Sequence, residues 1–218
     1  METDAIDVAN SGQSIVKSGS FMLTGVELTK LPTVSLAFYD ASNPNNLGTA
    51  IAHLFLADVT GSYPFKARLL NGLTIINGDA VQGSTVLTSN NTEVADGDTV
   101  TIDTVTYRFK NTPAQAYDVK RNGTTADTTL ANLIKAINAS GVGDGSDYFA
   151  GTLKHPTVFA GTTITAHHFP ITSWAYGVAA NSIATTHVGA TLSFTGATLA
   201  SGAEGGAYEL TVNLQRQN

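Results

Sequence analysis

The sequence predicts a mainly β protein, an antiparallel β-sandwich carrying an inserted α+β module with one main helix. Three observations lead there. Apolar residues fall in short blocks of about four to seven, separated by turn chemistry, which suits strands better than helices. Only 13% of the 218 residues are charged, about half the usual share, and 21 glycines with abundant Thr, Ala and Ser favour sheets joined by tight turns. One segment alone, after Asp127, keeps a helical period over several turns.

Taken in order, residues 1–20 are polar, and Ile15 and Val16 are their one paired apolar grip, so they read as an arm that docks at most one short strand. The blocks Phe21-Met22-Leu23, Val34 to Tyr39, Ala50 to Leu56 and Leu73-Thr74-Ile75-Ile76 then make a small antiparallel sandwich. Its turns are Asn43-Pro44-Asn45-Asn46, Gly61-Ser62-Tyr63-Pro64 and Asn71-Gly72. A second style begins near Thr85. Thr99-Val100-Thr101-Ile102 and Val105 to Phe109 alternate polar with apolar across Asp103-Thr104, the pattern of a hairpin with one buried face.

Leu130, Leu133, Ile134 and Ile137 fall at i, i+3, i+4 and i+7 and form one apolar stripe, with Asp127 placed to cap the helix start and Gly141 its end. Thr157-Val158-Phe159, Thr163 to Ala166, Ser182-Ile183-Ala184 and Thr191 to Phe194 follow as short strands, so this module is one helix packed on a sheet. After Gly205-Gly206, the stretch Tyr208 to Leu214 alternates cleanly and makes a last strand. The second module has already ended near Gly196 to Gly202, so that strand is assigned to the first sheet. The expected organisation is a discontinuous sandwich of residues 1–80 plus 204–218, with 81–203 inserted at a loop.

Composition excludes several functions. The net charge is −6, and Lys and Arg are scattered singly, so no basic face is predicted to neutralise a row of phosphates and nucleic acid is not an expected partner. There is no cysteine, which removes disulfides and thiolate metal sites. No apolar run reaches bilayer length, and the acidic start Met1-Glu2-Thr3-Asp4 is unlike a secretory signal, so a soluble chain made in a cytoplasm, without a membrane partner, is expected.

Several residues invite a chemical role and are better explained by structure. Asp96-Gly97-Asp98 with Asp103 is a fragment of a calcium loop lacking the next alternate ligand and the downstream bidentate Glu, and it reads as a turn. Gly143-Asp144-Gly145-Ser146-Asp147 is a longer loop of the same kind. His155, His167, His168 and His187 would have to converge to bind a metal, yet neighbours such as His167 and His168 point to opposite faces of a strand. Phe169, Trp174 and Tyr176 could line a platform for a sugar ring, although a single Trp is more commonly the anchor of a long loop. Asn90-Asn91-Thr92, Asn122-Gly123-Thr124 and Asn138-Ala139-Ser140 match the glycosylation pattern, as a Thr- and Asn-rich chain does by chance. No nucleophile elbow, phosphate loop or dinucleotide fingerprint is present. No catalytic, cofactor-binding or metal-ligating residue is therefore expected, and no cofactor.

One resemblance bears on function. Asp96 to Ile102, Thr106-Tyr107-Arg108-Phe109, Ala116-Tyr117-Asp118-Val119 and Leu130 to Asn138 follow in order, continued by His155-Pro156-Thr157-Val158, Ala180 to Ala184 and Gly196-Ala197-Thr198-Leu199. Across residues 84–202 this resembles a module that recurs in virion proteins of tailed bacteriophages, where the motif marks a fold and not an active site. The first segment, with Tyr39-Asp40, Gly48-Thr49-Ala50-Ile51 and Asn71 to Ile75, resembles modules of capsid decoration and head-fibre proteins. In those modules a last alternating strand comes soon after the Asn-Gly-Leu segment, whereas here it comes only at Glu209 to Leu214, in keeping with an insertion. The resemblance implies a non-enzymatic virion protein on the capsid surface, made in the host cytoplasm. Its implied partners are the major capsid protein and neighbouring copies of itself. The alternative reading is a tail-fibre or baseplate component binding a host glycan near Trp174. A glycan hydrolase would need two carboxylates facing each other across a cleft, and the sequence places no such pair.

Overall fold

The structure, a computed structural model, describes residues 3–9, 13–18, 21–30, 36–41, 50–54, 61–69, 72–77, 80–141, 143, 145–204 and 209–216. Among the described residues the fold is mainly β with a single α-helix and almost wholly antiparallel pairing. The chain divides into two compact units, one of Met1–Gln82, Ala175–Ala179 and Gly202–Asn218, the other of Gly83–Trp174 and Ala180–Ser201.

The first unit holds β1 (Thr3–Ala9), β2 (Gln13–Ser18), β3 (Phe21–Lys30), β4 (Leu36–Tyr39), β5 (Ala50–Leu54), β6 (Gly61–Leu69), β7 (Gly72–Asn77) and β16 (Glu209–Arg216). They form two four-stranded sheets, ordered β1-β16-β3-β6 and β2-β7-β4-β5. The strand at 209–216 lies between β1 and β3, with Val212 opposite both Ile6 and Val26. A bulge at Thr24 lets Leu23 and Val26, three residues apart, both lie fully buried. In the other sheet Phe38 faces Ile75 across β4 and β7, and both are fully buried, as are Leu36 and Leu73. Among the described side chains the buried ones follow this alternation, apart from Ile76, which is buried next to Ile75 on the other face of β7.

Two expectations for this unit are corrected. Residues 3–9 and 13–18 are strands in different sheets and not a largely free arm, because their hydrogen bonds need the backbone of β16 and β7 and little side-chain hydrophobicity. Gly61-Ser62-Tyr63-Pro64 opens β6 and is no turn; β6 is an edge strand and Pro64 sits beside a register shift, both places where sheets tolerate proline. Asn43 to Asn46, Phe55, Leu56, Asn71 and Tyr208 lie outside the described residues.

The second unit contains β8 (Gln82–Ser89), β9 (Thr99–Ile102), β10 (Val105–Lys110), β11 (Asp118–Lys120), α1 (Ala126–Asn138), β12 (Val158–Ala160), β13 (His168–Tyr176), β14 (Thr185–Val188) and β15 (Leu192–Phe194), apart from the outermost residues of β8 and β13. Its sheets are ordered β11-β10-β9-β14 and β12-β13-β8-β15, and β10 with β11 is parallel. The hairpin of β9 and β10 turns through Asp103 at φ 52°, and Val100, Ile102, Tyr107 and Phe109 on its inner face are fully buried. The stripe Leu130, Leu133, Ile134 and Ile137 packs into one core with this face and with Leu87, Phe169 and Ile171 of the other sheet. The helix thus serves two sheets and not the one expected. Among the described residues no helix is long and apolar enough to cross a membrane.

The helix ends differ from expectation. Thr125 is the N-cap residue, with no side-chain capping bond, and Asp127 sits inside the first turn, where its charge favours the positive end of the helix dipole. At the other end the cap is Ala139 and not Gly141: Ala139 takes the left-handed conformation (φ 46°), and the Ser140 amide reaches back to the Lys135 carbonyl at 2.8 Å, while Gly141 has a positive φ of 99° two residues further on. Thr163 to Ala166 is no strand. Ala166 and His167 are both left-handed, and Thr165 and His168 exchange two backbone bonds of 3.0 Å around them, a two-residue turn usually made with Asn-Gly. Ser182-Ile183-Ala184 is likewise not a strand: a 3-10 helix covers Val178–Ser182 and β14 begins at Thr185.

Leu133 is fully buried against this core, so Leu133→Ala is expected to lower unfolding free energy by about 2–5 kcal/mol in a denaturant titration. A neutral result would mean that the helix does not pack as described.

Candidate functional site

The densest polar cluster of the second unit is built on a backbone excursion between β10 and β11. Asp118, 1% exposed at the start of β11, accepts the Arg108 Nε at 2.8 Å and the Ala114 and Gln115 amides at 2.9 and 3.1 Å. The Arg108 guanidinium also donates to the Ala116 carbonyl at 2.8 Å, so one ion pair fastens the whole excursion. Burial alone pushes the Asp118 carboxyl up, but the Ala114 amide, Arg108 and the Gln115 amide outweigh it and hold the carboxyl below its usual range. Tyr117 pays for the tight path with a left-handed backbone (φ 67°), its amide bonded to Thr152 Oγ1 at 2.9 Å. Its ring stands edge-on to Tyr107 with centroids 5.7 Å apart.

A second cluster surrounds Glu93. Its Oε1 accepts the Thr129 hydroxyl at 2.7 Å and the Gly123 amide at 3.1 Å, while Arg121 beside it donates to the Val94 carbonyl at 2.6 Å. This ties the approach to α1 onto the loop after β8. Most of these groups are engaged with backbone or with one another, while Glu93 Oε2 is buried without a hydrogen-bond partner.

The acidic residues singled out in the sequence separate in the same way. Asp96 accepts the Asn111 amide at 2.8 Å, Asp98 the Ala95 amide at 3.1 Å, and Asp103 the Thr157 hydroxyl at 3.2 Å. Asp147 pairs with Lys135 at 2.9 Å, and Asp144 lies outside the described residues. Among the described residues no group of three or more His, Asp or Glu side chains could hold a metal ion.

The histidines do not converge. His167 Nδ1 lies 2.9 Å from Asp127 Oδ1 at the helix start, His168 Nδ1 lies 3.3 Å from the Ala166 carbonyl, and His187 is exposed on β14. His155, 1% exposed, lies deepest: Nε2 is 3.1 Å from the Ile102 carbonyl, and Nδ1 faces the Thr157 and Val158 amides at 3.2 and 3.3 Å. Those amides can only donate, so Nδ1 is the bare nitrogen and the proton is on Nε2.

The aromatic platform does not form as expected. Phe169 is fully buried, whereas Trp174 lies in register with the opposite, outer face of β13, and Tyr176 belongs to the other unit. Trp174 itself stands on β13, and as the single-Trp reading expects it holds a loop, the stretch that leads into β12. Its indole amide donates to the His155 carbonyl at 3.3 Å, Phe159 packs on it with centroids 4.6 Å apart, and Lys154 Nζ covers its ring at 3.9 Å. The matches to the glycosylation pattern also hold structure: Asn90 accepts the Thr92 amide, Asn122 the Thr125 amide, and Asn138 pairs in both directions with the Ala160 backbone at 2.9 Å.

One groove of about 310 Å³ lies beside β14, lined by Thr185, Thr186, His187, Phe194, Gly196 and Ala197. It offers an imidazole and two hydroxyls but no carboxylate. Sequence reasoning gave Arg108, Asp118 and Asn138 no fastening role, naming them only within patterns, and it missed Glu93. A lone Arg or Asp in a strand-turn pattern carries no periodic signal, because its partners are backbone groups.

Asp118→Ala would leave two amides unpaired and cost the Arg108 guanidinium its carboxylate, though not the Ala116 carbonyl, at an expected cost of about 2–3 kcal/mol in denaturant titration, moderated because Arg108 is partly exposed. A carboxyl held low stabilises the fold at pH values above its unfolded pKa of about 3.9, and that stability is lost as pH falls through the native value. The wild-type stability curve should therefore fall below about pH 4, and the Asp118→Ala curve should be flatter there.

No family model, curated protein or solved structure matches the chain.

Proposed function

We propose that the protein is a structural component of a tailed-bacteriophage particle, a decoration, cement or head-fibre protein bound to the outside of the major capsid protein shell. It works through its surfaces, in contact with neighbouring copies, and carries out no turnover. The observation that carries this reading is the employment of the residues in the phage-like motif. Tyr107, Phe109, Val119 and Leu133 lie in the core, while Asp118, Asn138 and His155 hold backbone. A motif consumed in this way marks a scaffold. The acidic net charge of −6 further favours a protein partner over nucleic acid.

Copy number tests the proposal. In purified particles the protein should scale with the major capsid protein by gel densitometry, as a component placed by the symmetry of the shell must. It should also cosediment with shells assembled without it. A few copies per particle would favour the tail-fibre or baseplate reading, and absence from the particle would overturn both.

A further inference from the structure

We propose that His155 is an acid-sensitive lock on residues 155–160: the neutral imidazole fastens β12 to the sheet, and a second ring proton releases that segment together with the contacts of Trp174. The geometry leaves the ring one workable state. Nδ1 must accept, because it faces the Thr157 amide at 3.2 Å and the Val158 amide at 3.3 Å, which can only donate; the Thr157 hydroxyl, 3.4 Å away, gives its proton to Asp103. Nε2 donates to the Ile102 carbonyl at 3.1 Å. A proton on Nδ1 would set donor against donor at two amides, in a site 1% exposed, where water cannot take over.

The ionisable surroundings do not offset this. On the β10 side the ring stacks on Tyr107, centroids 6.2 Å apart, whose hydroxyl is buried and is pushed well above the ordinary tyrosine range by burial and by Tyr117. From the β9–β10 turn Asp103 favours the charged ring, but its carboxylate takes the Thr157 hydroxyl at 3.2 Å. The helix contributes the Ile137 carbonyl, which accepts the His155 amide at 2.9 Å, and none of its buried side chains is ionisable. Lys154, next in the chain, lies over Trp174. Desolvation is the largest influence on the ring and holds it below the usual histidine range.

The release is local because the bonds lost at Nδ1 all belong to residues 157 and 158. β12 has three residues and sits at the edge of its sheet, with the Asn138 side chain on Ala160. Trp174 follows it, since its amide bonds the Thr157 carbonyl at 2.9 Å and its indole the His155 carbonyl. For a group with a depressed native value, the locked form is fully favoured above the ordinary histidine pKa of about 6.5 and is lost as pH falls through the lower, native value.

Because Trp174 is the chain's single tryptophan, its fluorescence reports on this segment alone. Between pH 7.5 and 4.5, Trp174 emission should shift reversibly. Over the same range amide protection at Thr157 and Val158, corrected for intrinsic exchange, should fall about tenfold per pH unit once below the ordinary histidine value. Amides of β9 and α1 should keep their protection, and His155→Gln should abolish the pH dependence. Should that variant fail to fold, ring nitrogen shifts of wild-type His155 decide, since the lock requires Nδ1 to stay bare until the amides open. Titration of His155 with the Thr157 and Val158 amides still protected would overturn the proposal, as would persistence of the transition in His155→Gln. Simultaneous loss of protection in β9 and α1 would mean global unfolding and would overturn it too.

Discussion

Buried peptide groups must find partners, and in the unit built around α1 this constraint governs more of the structure than hydrophobicity does. β11, β12 and β15 have only three residues each, too short for ladders to satisfy the backbone around them. Side chains answer instead. Asp118 takes two amides of the excursion before it, Asn138 pairs with the edge of β12 as a neighbouring strand would, and His155 closes the turn into that strand. With these in place the apolar stripe of α1 can meet two sheets in one core.

This has a bearing on how polar clusters in such a protein are to be understood. A buried aspartate beside an arginine, or a buried histidine stacked on a tyrosine, has the composition of a catalytic centre. Here the lone pairs of Asp118 and the bare nitrogen of His155 are committed to amides on the same chain. Even the outward-lying Trp174 has its indole proton donated and one ring face covered. Free valence, and not residue type, separates a reactive site from a fastening.

What the sequence made legible follows from the same physics. The helix and the β9–β10 hairpin announce themselves because each buries one face, so polarity repeats at the period of the element, and the strand at 209–216 shows the same alternation in sequence around the buried Val212. β8 buries one face as well, but with Gly83, Thr85, Leu87 and Ser89, a face too polar to read; a Cβ on Gly83 would come within 2.9 Å of Ala180 Cβ, so nothing larger fits. β13 is hidden by Pro170, which argues against a central strand, and by the Ala166-His167 turn, whose residues are unusual in that conformation. The C-terminal end of α1 misled for a related reason: Gly141 does take a positive φ, but the helix has already ended two residues earlier at Ala139. The clusters at Asp118 and Glu93 depend on backbone brought back from elsewhere in the chain, and no local pattern encodes that.

The position of β16 also orders events during synthesis. Every strand and the helix of the second unit have been translated by residue 201, whereas β16 is made only from residue 209 onward. Until then β1 and β3 lack the strand that joins them, and the pairing of Thr3 with Gln215 must bring together almost the two extremes of the sequence given. On the ribosome the second unit can fold while the first waits, with the edge of β3 uncovered and available to chaperones or to stray strands from other nascent chains.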